Sequence, residues 1–535
     1  DAPTCTCGPM TSLPAPTWSV TLPSNGHSGG VGVSPAPRRS ILKGSRSYSK
    51  ELDAEGNSDG PTRARARTEN PTSRQGRCKT VDFYFDTPFR TLSGVRSRSL
   101  ICTPHHSTTP DFFNEPGMSE IRNATVGKAM QNIVFPMSTA VLLVAPGLLV
   151  HAHSWWGLSV FLGVGWAMHH AAGCITRFVL DDKSLLTYRD VGYKALGTAG
   201  QYTILFLQVL NCLGAAIVLL MLGADTLSII FSAHPRAPHP SGTPAYMVWL
   251  TALLTLPFCL VRALDNIGPV SFIGFALSIV TVGCLVVLAA ARWPHTPGPR
   301  IPVDAGYLES IFPASAAACF AFGSPMSLVF PGLLGVMKRP EDFTSALNIA
   351  FAIKALKYTS FSALCIFIFG SDLKHNVMWN MPPGTLTSVA LYLMTFQLVF
   401  NYSLLLTPIF YLLELQLGIE DGSGRRHDGA QFMTRSFTRF LFVGISALIA
   451  VWLLAQGLGA ARMVQLVGGS TVLCSSWIFP VAFFLKWYGV CLEWTGLAGC
   501  AVSLGAGCLI FAYNTEQNLY PLIMKLSHAT PGRLG

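Results

Sequence analysis

From residue 132 onward one pattern repeats: a run of apolar residues, then a short polar or Gly/Pro-bearing connection. Eleven runs are legible, at about 132–153, 157–180, 200–231, 246–263, 267–291, 309–337, 346–370, 387–414, 438–456, 464–487 and 490–513. A helix needs about 20 apolar residues to cross a bilayer. A helix that is apolar all round belongs in lipid. The pattern therefore predicts an all-α polytopic membrane protein of eleven spans, occupying residues 131–515. Residues 1–130 lack the pattern. They are rich in Ser, Pro, Thr and Arg, cannot bury enough apolar surface to offset ordering entropy, and predict a disordered tail. Residues 516–535 form a short C-terminal tail.

The sixth run is the most informative. It carries no charge from Ser310 to Met337 and is interrupted at Phe320-Ala-Phe322-Gly323-Ser324-Pro325 and again at Phe330-Pro331. Gly and Pro at its midpoint free backbone groups at membrane depth, where they persist only against protein, a cavity or a solute. Secondary transporters build binding sites from such broken helices. A Pro-kinked structural helix is the competing reading. Phe320, Phe322, Gly323 and Ser324 are thus candidate substrate-binding residues.

Charge adds orientation. Only 12% of residues are charged, and the first 130 residues hold 16 of the 37 Lys and Arg. With the tail in the cytosol, fourteen further basic residues fall on inner connections and helix ends, Lys354 and Lys357 among them, against seven outside. The positive-inside rule then predicts a cytosolic N-terminus, in a plasma membrane or a vacuolar or lysosomal membrane. The sequon Asn123-Ala-Thr125 would face the cytosol. Arg-Arg-Ser sites such as Arg38-Arg39-Ser40 make a kinase or adaptor an expected partner of the tail, besides the lipid bilayer and a small-molecule substrate.

No zinc-ligand spacing, nucleophile elbow or phosphate-binding loop occurs, so neither an enzyme, a metal site, a cofactor nor a nucleic-acid partner is expected. Ionisable residues inside spans are few, and each is a functional candidate. His169-His170 lies mid-span in the second run, and histidine titrates near neutral pH. Adjacent helical positions diverge by roughly 100°, so only one of the pair faces a pathway. Asp225 and Glu414 lie near span ends as gate or snorkelling candidates.

The order Phe320-x-Phe322-Gly323, Phe330-Pro331, Met337-x-x-Pro340-x-x-Phe343, Tyr358, Phe369-Gly370, Asn376, Asn380-Met381-Pro382, Tyr402-Ser403, Thr407-Pro408 and Glu414 resembles the amino acid/auxin permease family over residues 132–513. Tyr188-Arg-Asp190 with Gly197 and Gly200 fits its third helix, and Gly468-Gly469 with Pro480 its tenth. The resemblance implies a leucine-transporter-like 5+5 inverted repeat plus an eleventh helix, with helices one and six unwound at mid-membrane. The substrate carboxylate would meet half-helix N-termini there. Aligned on Asn132 and Pro146, Thr139-Ala140-Val141 stands at the family's Gly-x-Gly and narrows the carboxylate end. Gly147 is the next position if that register is shifted. Sodium-coupled members carry a polar side chain before the first break, where this chain has Phe135-Pro136. Asn401, Ser403 and Thr407 of helix eight supply half a sodium site. Protons are the expected coupling ion, through His169 and His170, with sodium left open. The expected function is secondary active transport of amino acids. A non-transporting amino acid sensor is the alternative.

Overall fold

The computed structural model describes residues 124–135, 138–150, 152, 155–182, 185, 187–231, 243–260, 267–292, 307–323, 326–416 and 429–528. Most of the expected N-terminal tail lies outside them.

The chain is helical throughout the described residues. The helices are α1 (Val126–Val134), α2 (Ser138–Val150), α3 (Trp155–Asp181), α4 (Tyr188–Phe231), α5 (Ala245–Leu260), α6 (Ile267–Arg292), α7 (Tyr307–Gly323), α8 (Met326–Val336), α9 (Phe343–Phe369), α10 (Thr385–Gln416), α11 (Gly429–Ala455), α12 (Ala460–Val467), α13 (Phe479–Tyr488) and α14 (Trp494–His528). Between α12 and α13 the helix continues through two wider π-helical turns, Gly468–Val472 and Cys474–Ile478. Eight described helices or joined segments are long and apolar enough to cross a membrane alone, and the bent pair α1 and α2 makes a ninth. The shorter α5, and α7 taken with α8, complete the eleven spans that the pattern predicts. Five spans from α1 to α6 and five from α7 to α13 form two halves, each opening on a span in two segments. As five is odd, the second half runs opposite to the first.

Local chemistry sets these boundaries. Each gap within a broken span contains a proline, Pro136 and Pro325, with no N–H to continue a helical ladder. Thr125 caps α1, its hydroxyl accepting from the Lys128 amide. The folded part therefore starts inside the segment read as tail, and α14 runs on past residue 515 to His528. Within α4 the chain turns at Gly197, whose φ of 67° is left-handed and suits glycine.

The core surrounds α2, whose thirteen residues are all buried. Exposed apolar side chains such as Phe437 and Leu448 on α11 and Leu509 on α14 place those helices at the lipid face. Between helices in lipid the driving force is close packing rather than water exclusion. Polar contacts gather at the two ends of the bundle. At the end where α1 begins, Lys194 pairs with Asp182 at 2.5 Å. There Glu414 on α10 binds Arg439 at 2.7 Å and Arg435 at 3.1 Å on α11, and Arg439 also donates to the Cys259 carbonyl at 2.7 Å. Glu414 is thus a buried knot joining α5, α10 and α11. Ala124 and Met337 form an isolated parallel bridge, with Ala124 N–H donating to the Val336 carbonyl and Lys338 N–H to the Ala124 carbonyl, both at 3.1 Å. At the opposite end Asp225 accepts from Thr243 at 2.6 Å and from Asn376 at 3.1 Å, locking α4 to the connection after α9.

One assignment needs correction. Lys354 and Lys357 are not at a helix end. They are the twelfth and fifteenth of the 27 residues of α9, and Lys354 is wholly buried. Removing them from the fourteen inner positions leaves twelve against seven, the same sign of asymmetry.

Candidate functional site

The two interrupted spans face each other at the centre. The axes of α1 and α2 differ by 48°. At the start of α2, Ser138 N–H donates to the Phe135 carbonyl and its hydroxyl to the Val134 carbonyl, both at 3.2 Å, so any free N–H groups of α2 begin at Thr139. The first gap falls at residues 135–137, earlier than expected. Thr139, Ala140 and Val141 lie in the first turn of α2, fully buried, rather than in the break. The sequence alignment sought a glycine pair. In the sequence Pro136 follows α1, and a proline can end a helix where no glycine stands.

Helix α7 is described as far as Gly323 and α8 from Met326, and the expected second break at Ser324-Pro325 lies outside the described residues. Phe320 is buried against the π-helical turn that contains Gly468. Phe322 fills the space between α7, α3 and α9. Its ring stacks on Phe351 at 5.8 Å, meets Tyr358 edge-on at 6.1 Å and leans on Phe161 at 5.3 Å. Gly165 makes room for it: a Cβ there would stand 2.8 Å from the ring. The Gly323 carbonyl accepts from Ser476 at 2.8 Å. Ser476 lies in the second π-helical turn, and such turns are frequent at functional sites.

The α9 helix brings two groups that sequence reasoning misplaced. Lys354 Nζ donates to the Ala321 carbonyl in the last turn of α7 at 3.4 Å. Lys357 Nζ donates to the hydroxyl of Ser138, the first residue of α2. The available signal was two lysines three apart within an apolar run.

Gln397, also missed, ties three helices. Thr139 donates to its Oε1 at 2.6 Å, and its Nε2 donates to Thr281 at 2.7 Å. Thr281 donates in turn to the Leu277 carbonyl at 2.8 Å. Gln397→Leu leaves the buried Thr139 hydroxyl unpaired and is expected to destabilise by about 1–3 kcal/mol. Adding Thr139→Val should recover part of that loss in thermal midpoint, because the stranded donor goes too. Equal midpoints for wild type and Gln397→Leu would dissolve this link.

The remaining candidates divide. His169 hydrogen-bonds Asn348 of α9 at 2.7 Å and meets the Phe351 ring edge-on at 5.2 Å. His170 points the other way, exposed and stacked on Trp166. Asn401 is buried, and its amide makes no hydrogen bond among the described residues. Ser403 and Thr407 donate to carbonyls of their own helix, at 2.8 Å and 2.9 Å. Phe135, at the end of α1, packs on Phe400 of α10 at 5.9 Å, under Gly274 of α6.

Comparison with known proteins agrees with this architecture. Residues 122–512 match the family model described as transmembrane amino acid transporter protein. Amino acid transporter AVT1B of Arabidopsis thaliana is 23% identical over 422 residues, covering 76% of this chain and 72% of that protein. Amino acid transporter AVT1E of the same plant is 22% identical over 371 residues, covering 69% and 68%. Among solved structures, a manganese transporter mutant from Eremococcus coleocola overlaps 81% of this chain and 92% of its own, at 12% identity and a TM-score of 0.42, a likeness too loose to argue from. With the family model spanning nearly the whole membrane part, the chain belongs to the transmembrane amino acid transporter family.

Proposed function

We infer that this chain is a secondary active transporter that carries amino acids with protons, its N-terminus in the cytosol of a cell or facing it from a vacuole or lysosome. The observation that carries the reading is the first span, bent by 48° between α1 and α2 and packed against α7, which puts helix ends at mid-bundle. Such ends suit the carboxylate and the ammonium of an amino acid. The relatives' names support amino acids as the cargo.

Support for protons comes from the wall between the first break and α10. That wall is apolar where sodium-coupled relatives of this fold carry a polar group: the Phe135 ring occupies it, against Phe400. His169 is the candidate proton carrier on α3, since it faces α9 and His170 does not. The basic tail, with its Arg-Arg-Ser sites, suits a cytosolic kinase or adaptor.

The test is flux into proteoliposomes holding the purified full-length chain. An inward proton gradient should drive accumulation of labelled amino acid, unchanged when sodium is replaced by choline. Accumulation that requires sodium and ignores pH would overturn proton coupling. It would turn attention to Asn401, Ser403 and Thr407. Saturable binding with no flux under either gradient would make the protein a sensor.

A further inference from the structure

Two lysines sit at the centre of this bundle, and among the described residues no acid pairs with either. Lys354 and Lys357 are three apart on α9 and so project from one face. The helix is about 40 Å long, and both lie near its middle. Among the described residues Lys194 pairs with Asp182, and Glu414 with Arg435 and Arg439, while neither α9 lysine has an acidic partner. An uncompensated charge in an apolar interior is strongly unfavourable.

Their surroundings differ in sign. Lys354 reaches the Ala321 carbonyl at the C-terminal end of α7, the negative end of a helix, which suits a cation. The Gly323 carbonyl of the same turn is taken by Ser476. Two acceptors at that end of α7 thus each take one donor from within the chain. Lys357 touches Ser138 at the N-terminal end of α2, the positive end of a helix. An ammonium and a helix N-terminus repel each other, and an anion between them is held by both. No acidic side chain of α2 is available, since that helix contains none.

The geometry points to an anion subsite in which Lys357 and the first turn of α2 receive a carboxylate, while Lys354 provides the cation at the end of α7. The preferred ligand then carries net negative charge: an acidic amino acid rather than a neutral zwitterion. A neutral zwitterion brings no net charge to balance the pair, whereas the second carboxylate of an acidic amino acid does. The inference deepens the amino acid reading above and rests on it.

Binding tests it separately from flux. The full-length chain in detergent is titrated with L-glutamate and with L-leucine, and ligand-induced stabilisation is followed by thermal midpoint. Glutamate should act at concentrations lower than leucine by about tenfold or more, the worth of one charge-assisted hydrogen bond. Lys357→Gln, which keeps a donor for Ser138 and loses the charge, should erase that preference, and Ser138→Ala should keep it. Leucine acting as well as glutamate on the wild-type chain, or neither acting, overturns the subsite, and this comparison needs no variant to fold. A preference that survives Lys357→Gln overturns it equally. Glutamate binding without accumulation in proteoliposomes would sink the transport reading and leave the subsite standing. Accumulation of leucine with no preference for glutamate would do the reverse.

Discussion

Glu414→Leu is expected to lower the yield of folded protein and its thermal midpoint more than any other single change at the end of the bundle where α1 begins. Glu414 is an acidic partner of both Arg435 and Arg439. All three side chains are largely buried, with 12% of each arginine and 8% of the glutamate exposed. Removing one member of a buried ion pair leaves charge without compensation and costs about 3–5 kcal/mol. Here two arginines lose the same partner at once. Arg439 also holds the Cys259 carbonyl at the end of α5, so its displacement loosens a third helix. Replacing the whole set with apolar residues (Glu414→Leu, Arg435→Leu, Arg439→Met) should recover much of the midpoint, because no charge is then stranded. Size-exclusion profiles recorded against temperature would read both. A midpoint for Glu414→Leu equal to wild type would show that the knot carries no stability.

Gly468→Ala is expected to cost both stability and uptake, though alanine ordinarily improves a helix over glycine by about 1 kcal/mol. An added Cβ at Gly468 would press on the Ala316 carbonyl oxygen of α7 and stand 3.1 Å from the Phe320 Cβ. The opposing atom is backbone and cannot rotate away. The π-helical turn must therefore back off from α7, at about 1–3 kcal/mol for overpacking. Ser476, about two turns further on, would be drawn from the Gly323 carbonyl to which it donates. Gly444→Ala on α11 is the matched control, since nothing lies within 4 Å of its added Cβ. Equal midpoints and uptake for the two alanine variants would remove close packing of α7 from the account.

Much of the fold is legible in the sequence because lipid enforces a simple rule: a spanning segment must be long, apolar and helical. The eleven runs needed nothing more. The second break is expected for the same reason, as Gly323 and Pro325 interrupt an otherwise uncharged run. The first gap was misplaced. The alignment looked for small residues, whereas Pro136, three residues before Thr139, can end α1. Lys354 and Lys357 were read as flanking charge, although Lys354 lies well within the 346–370 run. Counting charges by distance along the chain cannot tell a lysine that snorkels to the surface from one turned toward a neighbouring helix. Gln397 was passed over because a single amide in an apolar run gives no hint of its partners, which are 258 and 116 residues away.

The short backbone bridge between Ala124 and Met337 has a mechanical consequence. It rivets the start of α1 to the end of α8, so one segment from each half of the repeat shares a single handle. The two halves cannot rock independently at that end: a torque on either is felt by both gaps. The N-terminal segment joins the membrane part at Ala124, which is itself a member of this bridge. Tension or bulk applied there acts on the hinge of the whole machine.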